Sequence, residues 1–293
     1  MSEPALRRAP EFRAPRAAFR LLLFILQQMT ILVAFALSRG PLARFYRATQ
    51  LAWSRVCLFV CGLRLRRIGQ APTGDTPVLY VANHLSYLDI PVLYSLIEGS
   101  FIAKAEVARW PFFGHAAKLA RTIFVERSGP RAATQKQELL DRMAKGEDLI
   151  LFPEGTSTDG SGVVPFKSTL FSITEGLPEG RRMLIQPVAL AYPRDRQGRW
   201  LDGERREYYC WFGDSTLVRH LWRALGLPGA EVEVRFGKPI AVVAGASRKH
   251  LAHAAWLRVA AMVAEANEGS RDGKPAPGMV RSEATSETAR VLL

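Results

Sequence analysis

The sequence predicts an α/β fold: a central, mostly parallel sheet covered by helices, preceded by an N-terminal membrane-associated helical hairpin. Three observations predict it. Strand-like apolar runs alternate with helix-periodic runs from residue 78 onward, and a nearly unbroken apolar stretch lies close to the N-terminus. The chain's 293 residues, 48% apolar and 23% charged, supply the core of one large α/β domain or two small ones.

Residues 1–18 are rich in arginine and proline and are expected to be disordered. Leu21 to Leu37 reads LLLFILQQMTILVAFAL, broken only by Gln27, Gln28 and Thr30. At ~1.5 Å per residue this stretch spans roughly 25 Å, the short edge for crossing a bilayer. A second stretch, Leu51 to Leu63, carries Arg55 and is too short to cross alone. Arginines precede the first stretch (Arg7, Arg8, Arg13, Arg16, Arg20) and also follow it (Arg39, Arg44, Arg47). A single spanning helix should show a one-sided bias. Charge on both sides fits a hairpin lying in one leaflet with its arginines at the headgroups, so residues 19–67 are assigned as the anchoring segment. A signal peptide would need a small-x-small cleavage site, and none is evident.

The folded domain is expected over residues 68–268. Its strands are expected at Val78–Ala82, Phe101–Ala103, Thr122–Val125, Leu149–Phe152, Leu184–Ala191, Tyr208–Phe212 and Val232–Phe236. Helices are expected at Ser86–Leu96, Phe112–Ala120, Ala132–Ala144, Leu217–Leu225 and Ser247–Asn267. Pro111 suits the first turn of the second helix, and Gly146 the C-terminal cap of the third. From Gly269 to Leu293 the chain turns polar and is expected to be a disordered tail.

Basic residues outnumber acidic ones 40 to 27, a net charge of +13. Such a surface favours polyanions: nucleic acid, anionic lipid headgroups or an acidic carrier protein. Cys57, Cys61 and Cys210 are too few for a disulfide framework. His250 and His253 lie three apart on a helix, with no carboxylate or thiol nearby to complete a metal site. Gly160-Ser161-Gly162 lacks the third glycine of a dinucleotide fingerprint.

Two segments carry chemistry. Asn83-His84-Leu85-Ser86-Tyr87-Leu88-Asp89 follows the strand Val78–Ala82. His84 and Asp89 can meet if the histidine sits in the loop and the aspartate in the first helical turn. A carboxylate on one imidazole nitrogen fixes the tautomer and leaves the other nitrogen to take a proton. That is two-thirds of a hydrolase triad, and the missing hydroxyl could be the substrate's own. Ser86-x-x-Asp89 also resembles a helix capping box, and a single His-x4-Asp pair is not diagnostic. The second segment, Pro153-Glu154-Gly155-Thr156-Ser157, leaves the strand Leu149–Phe152. Ligands of open α/β sheets bind beyond the carboxyl ends of strands, where both loops lie. Glu154 can accept hydrogen bonds there and Gly155 allows close backbone approach, although Pro, Gly, Thr and Ser equally suit an ordinary turn.

Taken together, NHLSYLD and FPEGTS resemble the first and third motifs of the glycerolipid acyltransferase family, typified by 1-acylglycerol-3-phosphate O-acyltransferases. Thr122-Ile123-Phe124-Val125-Glu126-Arg127 resembles the second motif and Ile185-Gln186-Pro187-Val188 the fourth, in family order across residues 78–190. The resemblance implies that His84 is the general base and Asp89 its orienting partner. It further implies that Arg127, Glu154, Gly155 and Thr156 bind the acceptor's polar head, that Pro187 shapes the acyl pocket, and that Lys104 helps with the oxyanion, although Lys104 could equally be a solvated charge at the strand edge. Arg121 could assist Arg127, or be plain solvated surface. No metal and no cofactor are implied beyond the acyl-thioester co-substrate, acyl carrier protein or coenzyme A.

Pro165–Phe171 and Tyr208–Asp214, read with FPEGTSTDG, look like the bacterial lyso-ornithine lipid acyltransferase branch. That branch implies a lysolipid acceptor with a zwitterionic amino-acid head, and an acidic carrier protein docking on the basic surface. It also implies the cytoplasmic face of the inner membrane, with an anionic membrane surface as partner; a nucleic-acid-binding module would use the charge but leave the apolar N-terminus and FPEGT unexplained. A lysophosphatidate acceptor, giving phosphatidic acid, is the alternative; Arg127 and the basic surface suit a phosphate, whereas Glu154 and Asp159 could face an ornithine ammonium. From other classes, a lipid esterase would need a serine nucleophile, and no Gly-x-Ser-x-Gly elbow is present. A non-catalytic lipid-binding protein would leave the intact motifs without use.

Overall fold

The structure, a computed structural model, describes residues 11–38, 45–110, 113–126, 132–201 and 203–268. Two helices, α1 (Ala14–Ser38) and α2 (Tyr46–Cys61), lead into β1 (Arg64–Ile68) and β2 (Val78–Ala82). After α3 (Asp89–Tyr94) come β3 (Ser100–Lys104), α4 (Phe113–Leu119), β4 (Ile123–Val125), α5 (Ala132–Ala144) and β5 (Leu149–Leu151). The second half holds β6 (Met183–Asp195), α6 (Gly203–Glu207), α7 (Leu217–Gly226), β7 (Ala230–Phe236), β8 (Ile240–Val242) and α8 (Arg248–Glu268).

The described strands form one sheet of eight, ordered β1-β7-β6-β2-β5-β3-β4, with β8 beside the start of β6. Every pair is parallel except β6 with β7 and β6 with β8. Strand β2 is buried along its whole length because helices cover both faces. Val78, Tyr80 and Ala82 share one core with Leu58 of α2, Val92 of α3 and Leu225 of α7. Leu79 and Val81 share the other with Leu139 of α5 and Val259 of α8. Burying each such side chain contributes roughly 1.5–3 kcal/mol. The period-two pattern of β2 thus serves two cores at once.

Pro187 is buried in the middle of β6, an unusual place for a residue without an N–H. It faces Val81 of β2 on one side. On the other, β8 has ended at Ile185 and β7 begins at Val188, so the missing donor falls in the gap between two partner strands. The Pro187 carbonyl accepts the Gly237 N–H at 2.9 Å.

Several expectations are corrected. Residues 14–18, expected to be disordered, form the first turn of α1. They are held because Arg13 N–H and Arg16 donate to Gly226 O, while Arg20 donates to the carbonyls of Leu225, Leu227 and Pro228, closing the end of α7. Tyr208–Phe212 is not a strand: Tyr209 and Cys210 N–H groups bond back to Arg206 and Glu207 in turns that continue α6. Helix α3 starts at Asp89 rather than Ser86, because the Leu85 and Ser86 N–H groups bond the Asp89 carboxylate. Residues 1–10, Pro111, Arg127 and the tail 269–293 lie outside the described residues.

The hairpin expectation is refined. Helix α2 is part of the domain, burying Gln50, Ser54, Cys57, Leu58, Val60 and Cys61. Helix α1 packs on it, its Gln27 donating to Trp53 O at 3.0 Å. The opposite side of α1 leaves Phe19, Leu22, Leu26, Met29, Val33 and Leu37 exposed at helical spacing. Ala14–Ala34 is long and apolar enough to cross a membrane.

Candidate active site

Strands β2 and β5 are parallel neighbours with Val81 opposite Leu151. His84 and Glu154, each three residues further on, therefore leave the sheet side by side at its carboxyl edge. The His84 backbone N–H donates to Glu154 Oε1 at 2.7 Å. Asn83 extends the ladder on the other side: its side-chain amide donates to Leu190 O at 2.9 Å and accepts Leu190 N–H at 2.8 Å.

The imidazole is held by two contacts. His84 Nδ1 lies 2.8 Å from Asp89 Oδ2, and the ring stacks on Phe152 with centroids 4.1 Å apart. Asp89 is fully buried, and the same oxygen accepts Leu85 N–H at 2.7 Å and Ser86 N–H at 2.9 Å. A carboxylate only accepts, so the proton between them is assigned to Nδ1, and in the neutral imidazole Nε2 then carries the free lone pair. The His84 side chain is 21% exposed, enough to be reached from outside. The capping reading holds in part: Asp89 reaches back to Ser86 N–H, while Ser86 Oγ accepts Leu88 N–H at 3.3 Å. Capping and imidazole orientation are performed by one carboxylate oxygen.

Glu154 differs from its expected role at the acceptor's head. It is 0% exposed, with Oε1 occupied by His84 N–H and Oε2 by Val164 N–H at 2.7 Å. Its work is to clamp the histidine loop to the Pro-Glu-Gly turn. Burial pushes the Glu154 carboxyl up from about 4.5 to about 7, against the two backbone donors and with help from the Asp89 charge. Gly155 sits in the left-handed region at φ 70°, where a side chain would be strained, and its N–H closes a turn onto Phe152 O at 3.1 Å. Thr156 is exposed on that turn.

The remaining predicted residues fall in three places. Lys104 ends β3 at the same carboxyl edge, exposed, with β5 between β3 and β2. Pro187 is a buried sheet residue, as described above. Arg121 lies at the amino end of β4, its guanidinium 4.1 Å above the Tyr46 ring, away from the edge that carries His84. No group of His, Cys, Asp and Glu able to hold a metal occurs among the described residues, and His253 rests against Trp256.

Two supports were not read from the sequence. Phe152 was expected only as the end of a strand, yet it forms the floor under the imidazole. Trp211 lies in the segment expected to be a strand, and its backbone joins both loops. Its N–H donates to Leu85 O at 2.8 Å, and its carbonyl accepts the Ser157 hydroxyl. Thr158 N–H donates to His84 O at 3.0 Å.

The Glu154 clamp has a measurable pH signature. Between about pH 4.5 and 7 the folded protein keeps a proton that the unfolded chain has released, so ionisation there works against the fold. This component of stability is complete below about pH 4.5 and is lost as pH rises to about 7. Glu154→Gln removes the slope, and it also places an NH2 where an oxygen accepted a backbone N–H, at about 1–3 kcal/mol. Urea unfolding at about pH 5 and pH 7.5 checks this. The gap between wild type and variant should be wider at the lower pH; an equal gap at both contradicts the assignment.

An acyltransferase family model matches residues 63–191. The chain is similar to a lyso-ornithine lipid O-acyltransferase of Brucella abortus, 37% identical over 253 residues that cover 80% of this chain and 92% of that one. It is also similar to a 1-acyl-sn-glycerol-3-phosphate acyltransferase of Neisseria gonorrhoeae, 31% identical over 57% of this chain and 61% of that one. Among solved structures, the 1-acyl-sn-glycerophosphate acyltransferase of Thermotoga maritima shares the fold. Its TM-score is 0.61 at 19% identity, covering 89% of this chain and 96% of that one.

Proposed function

The chain belongs to the acyltransferase family, and from that premise we propose that it moves a fatty acyl group from an acyl thioester to the hydroxyl of a lyso-ornithine lipid. The observation that carries this reading is the His84–Asp89 couple, whose Nδ1 is engaged and whose Nε2 is left for a substrate proton. The nearby serines supply no rival nucleophile. Ser86 is fully buried, and the Ser157 hydroxyl donates to Trp211 O. This favours transfer over an esterase with its own serine.

In the reaction, the acceptor hydroxyl gives its proton to His84 Nε2 as its oxygen attacks the thioester carbonyl. Asp89 balances the imidazolium that forms. The tetrahedral oxyanion is met by backbone amides and by Lys104, the cation we assign to it at the carboxyl edge of β3. Collapse breaks the carbon–sulfur bond, and the departing thiolate takes the proton back from His84. The histidine is reset, and the reaction as written needs no metal or other cofactor. Arg127 is assigned to the acceptor's head, as the family motif implies.

The acceptor assignment is supported by the Brucella relative, whose length this chain nearly covers. Lysophosphatidate is the second reading, favoured by the Neisseria relative and by the suitability of Arg127 for a phosphate. The protein associates with membranes through α1, whose exposed apolar side chains each gain roughly 1.5–3 kcal/mol in a bilayer. We place it on the cytoplasmic face of the bacterial inner membrane, with the +13 surface facing anionic headgroups and an acidic acyl carrier protein.

Competition between acceptors tests the reading. Purified protein given labelled acyl carrier protein and equal amounts of both lipids should acylate lyso-ornithine lipid at least about tenfold faster. The carrier-dependent rate should fall with added salt. Preference for lysophosphatidate would overturn the acceptor assignment.

A further inference from the structure

Arg206, on α6, is a buried cation that the mechanism above does not use. It is 7% exposed, and its Nε is buried with no hydrogen-bond acceptor. Its neighbours are paired: Arg199 with Asp195, and Arg205 with Glu11. Arg206 forms no ion pair among the described residues. A buried donor left without an acceptor is costly, so a fold that keeps the Arg206 Nε there is expected to give it a ligand.

Its surroundings belong to the catalytic loops. A Cβ added at Gly160, which closes the Pro-Glu-Gly-Thr-Ser-Thr-Asp-Gly run, would meet Leu85 Cδ2 at 3.3 Å, Arg206 Cδ at 3.5 Å and Cys210 Sγ at 3.5 Å. Leu85 is the residue after His84. The stem of Arg206 therefore rests on the same glycine that the histidine loop packs against. Asn267 fixes this point from below by donating to Gly160 O at 2.9 Å.

Two carboxylates flank the cation. Asp159 and Glu207 are both half-buried. Asp159 Oδ1 accepts from Ser161 N–H at 2.9 Å and Ser161 Oγ at 2.7 Å, and neither carboxylate forms an ion pair among the described residues. Partial burial, then the charges of Asp159 and Glu204, push the Glu207 carboxyl up against the pull of the nearby Arg206 charge. A positive group whose Nε has no hydrogen-bond acceptor thus lies beside two negative ones. A phosphate monoester would be repelled by the carboxylates, whereas a zwitterion satisfies both signs.

We propose that Arg206 binds the free carboxylate of the acceptor's amino-acid head, and that Asp159 and Glu207 receive its side-chain ammonium. The inference rests on the lyso-ornithine lipid reading. An ornithine acylated on its α-nitrogen keeps these two charges and no others. The carboxylate would supply the acceptor that the Arg206 guanidinium lacks, and the head would be held beside the His84 loop.

The test compares lyso-ornithine lipid with its carboxyl methyl ester, using full-length wild type, Arg206→Gln and Arg206→Lys. Wild type should prefer the free acid by about tenfold to a hundredfold in kcat/KM, mostly through KM, as expected for one charge-assisted contact. Arg206→Gln should lose that factor on the acid and little on the ester, so that the preference disappears; Arg206→Lys should recover part of it. A merely structural arginine would lower both substrates together. Equal use of acid and ester by wild type overturns the proposal and leaves the acceptor reading intact. This arm needs no variant, so misfolding of Arg206→Gln does not shield the idea. Failure of wild type to acylate either form, with lysophosphatidate accepted, would overturn both.

Discussion

His84→Ala should abolish acyl transfer, lowering the rate by about 10²–10⁴-fold, the range that a positioned general base contributes. The fold should survive the change. The ring is partly exposed, and Asp89 Oδ2 keeps its two backbone donors, Leu85 and Ser86 N–H, when the imidazole is gone. What disappears is the basic ring that Asp89 orients. The expected result is a folded, vesicle-binding protein with no turnover, checked by initial rates beside vesicle co-sedimentation and a thermal melt. Loss of folding together with activity would reduce His84 to a packing residue.

Asp89→Asn is expected to lose about 10²–10⁴-fold for a different reason. The asparagine oxygen can occupy the place of Oδ2 and still accept Nδ1–H, Leu85 N–H and Ser86 N–H. Its NH2 then falls where Oδ1 lies, buried and without a partner even in the wild type. The geometry is kept and the negative charge removed, so the imidazolium formed as the acceptor is deprotonated loses its counter-charge. A stability loss of about 1–3 kcal/mol should accompany this, from the buried unpaired amide. The variant separates two roles that one oxygen performs. If Asp89 served only to cap the loop before α3, Asp89→Asn would be nearly as active as wild type.

The parts of this protein that the sequence predicts well are those where one physical signal dominates. Strand β2 and helix α5 fall at their expected bounds, because an unbroken apolar run and a clean 3.6-residue period each leave one solution. The His84–Asp89 contact was predictable because a loop followed by a helix start makes a five-residue spacing reachable. Strand β1 was not predictable. Its sequence, Arg-Leu-Arg-Arg-Ile, has no apolar alternation, and it is stabilised at the sheet edge by pairing with β7 and by Arg66 reaching Glu231 and Glu233. Tyr208–Phe212 has the composition of a strand, yet its hydrogen bonds go to a preceding helix and to a loop over a hundred residues away in sequence, which no local window contains. Glu154 shows the same limit at the site. Its type and place suggest ligand binding, and only the distant N–H groups of His84 and Val164 show that its oxygens are occupied. Arg206 carries no local signal at all, since burial without a partner is a property of the folded state.

Whether an unprotonated imidazole at position 84 takes the acceptor's proton can be asked most directly by returning a base to the emptied site. Single-turnover transfer by His84→Ala, followed as free imidazole is titrated in, should rise from near zero towards a plateau below the wild-type rate, the added ring seating on Phe152. A variant that already turns over within about tenfold of wild type, before any imidazole is present, would contradict the account.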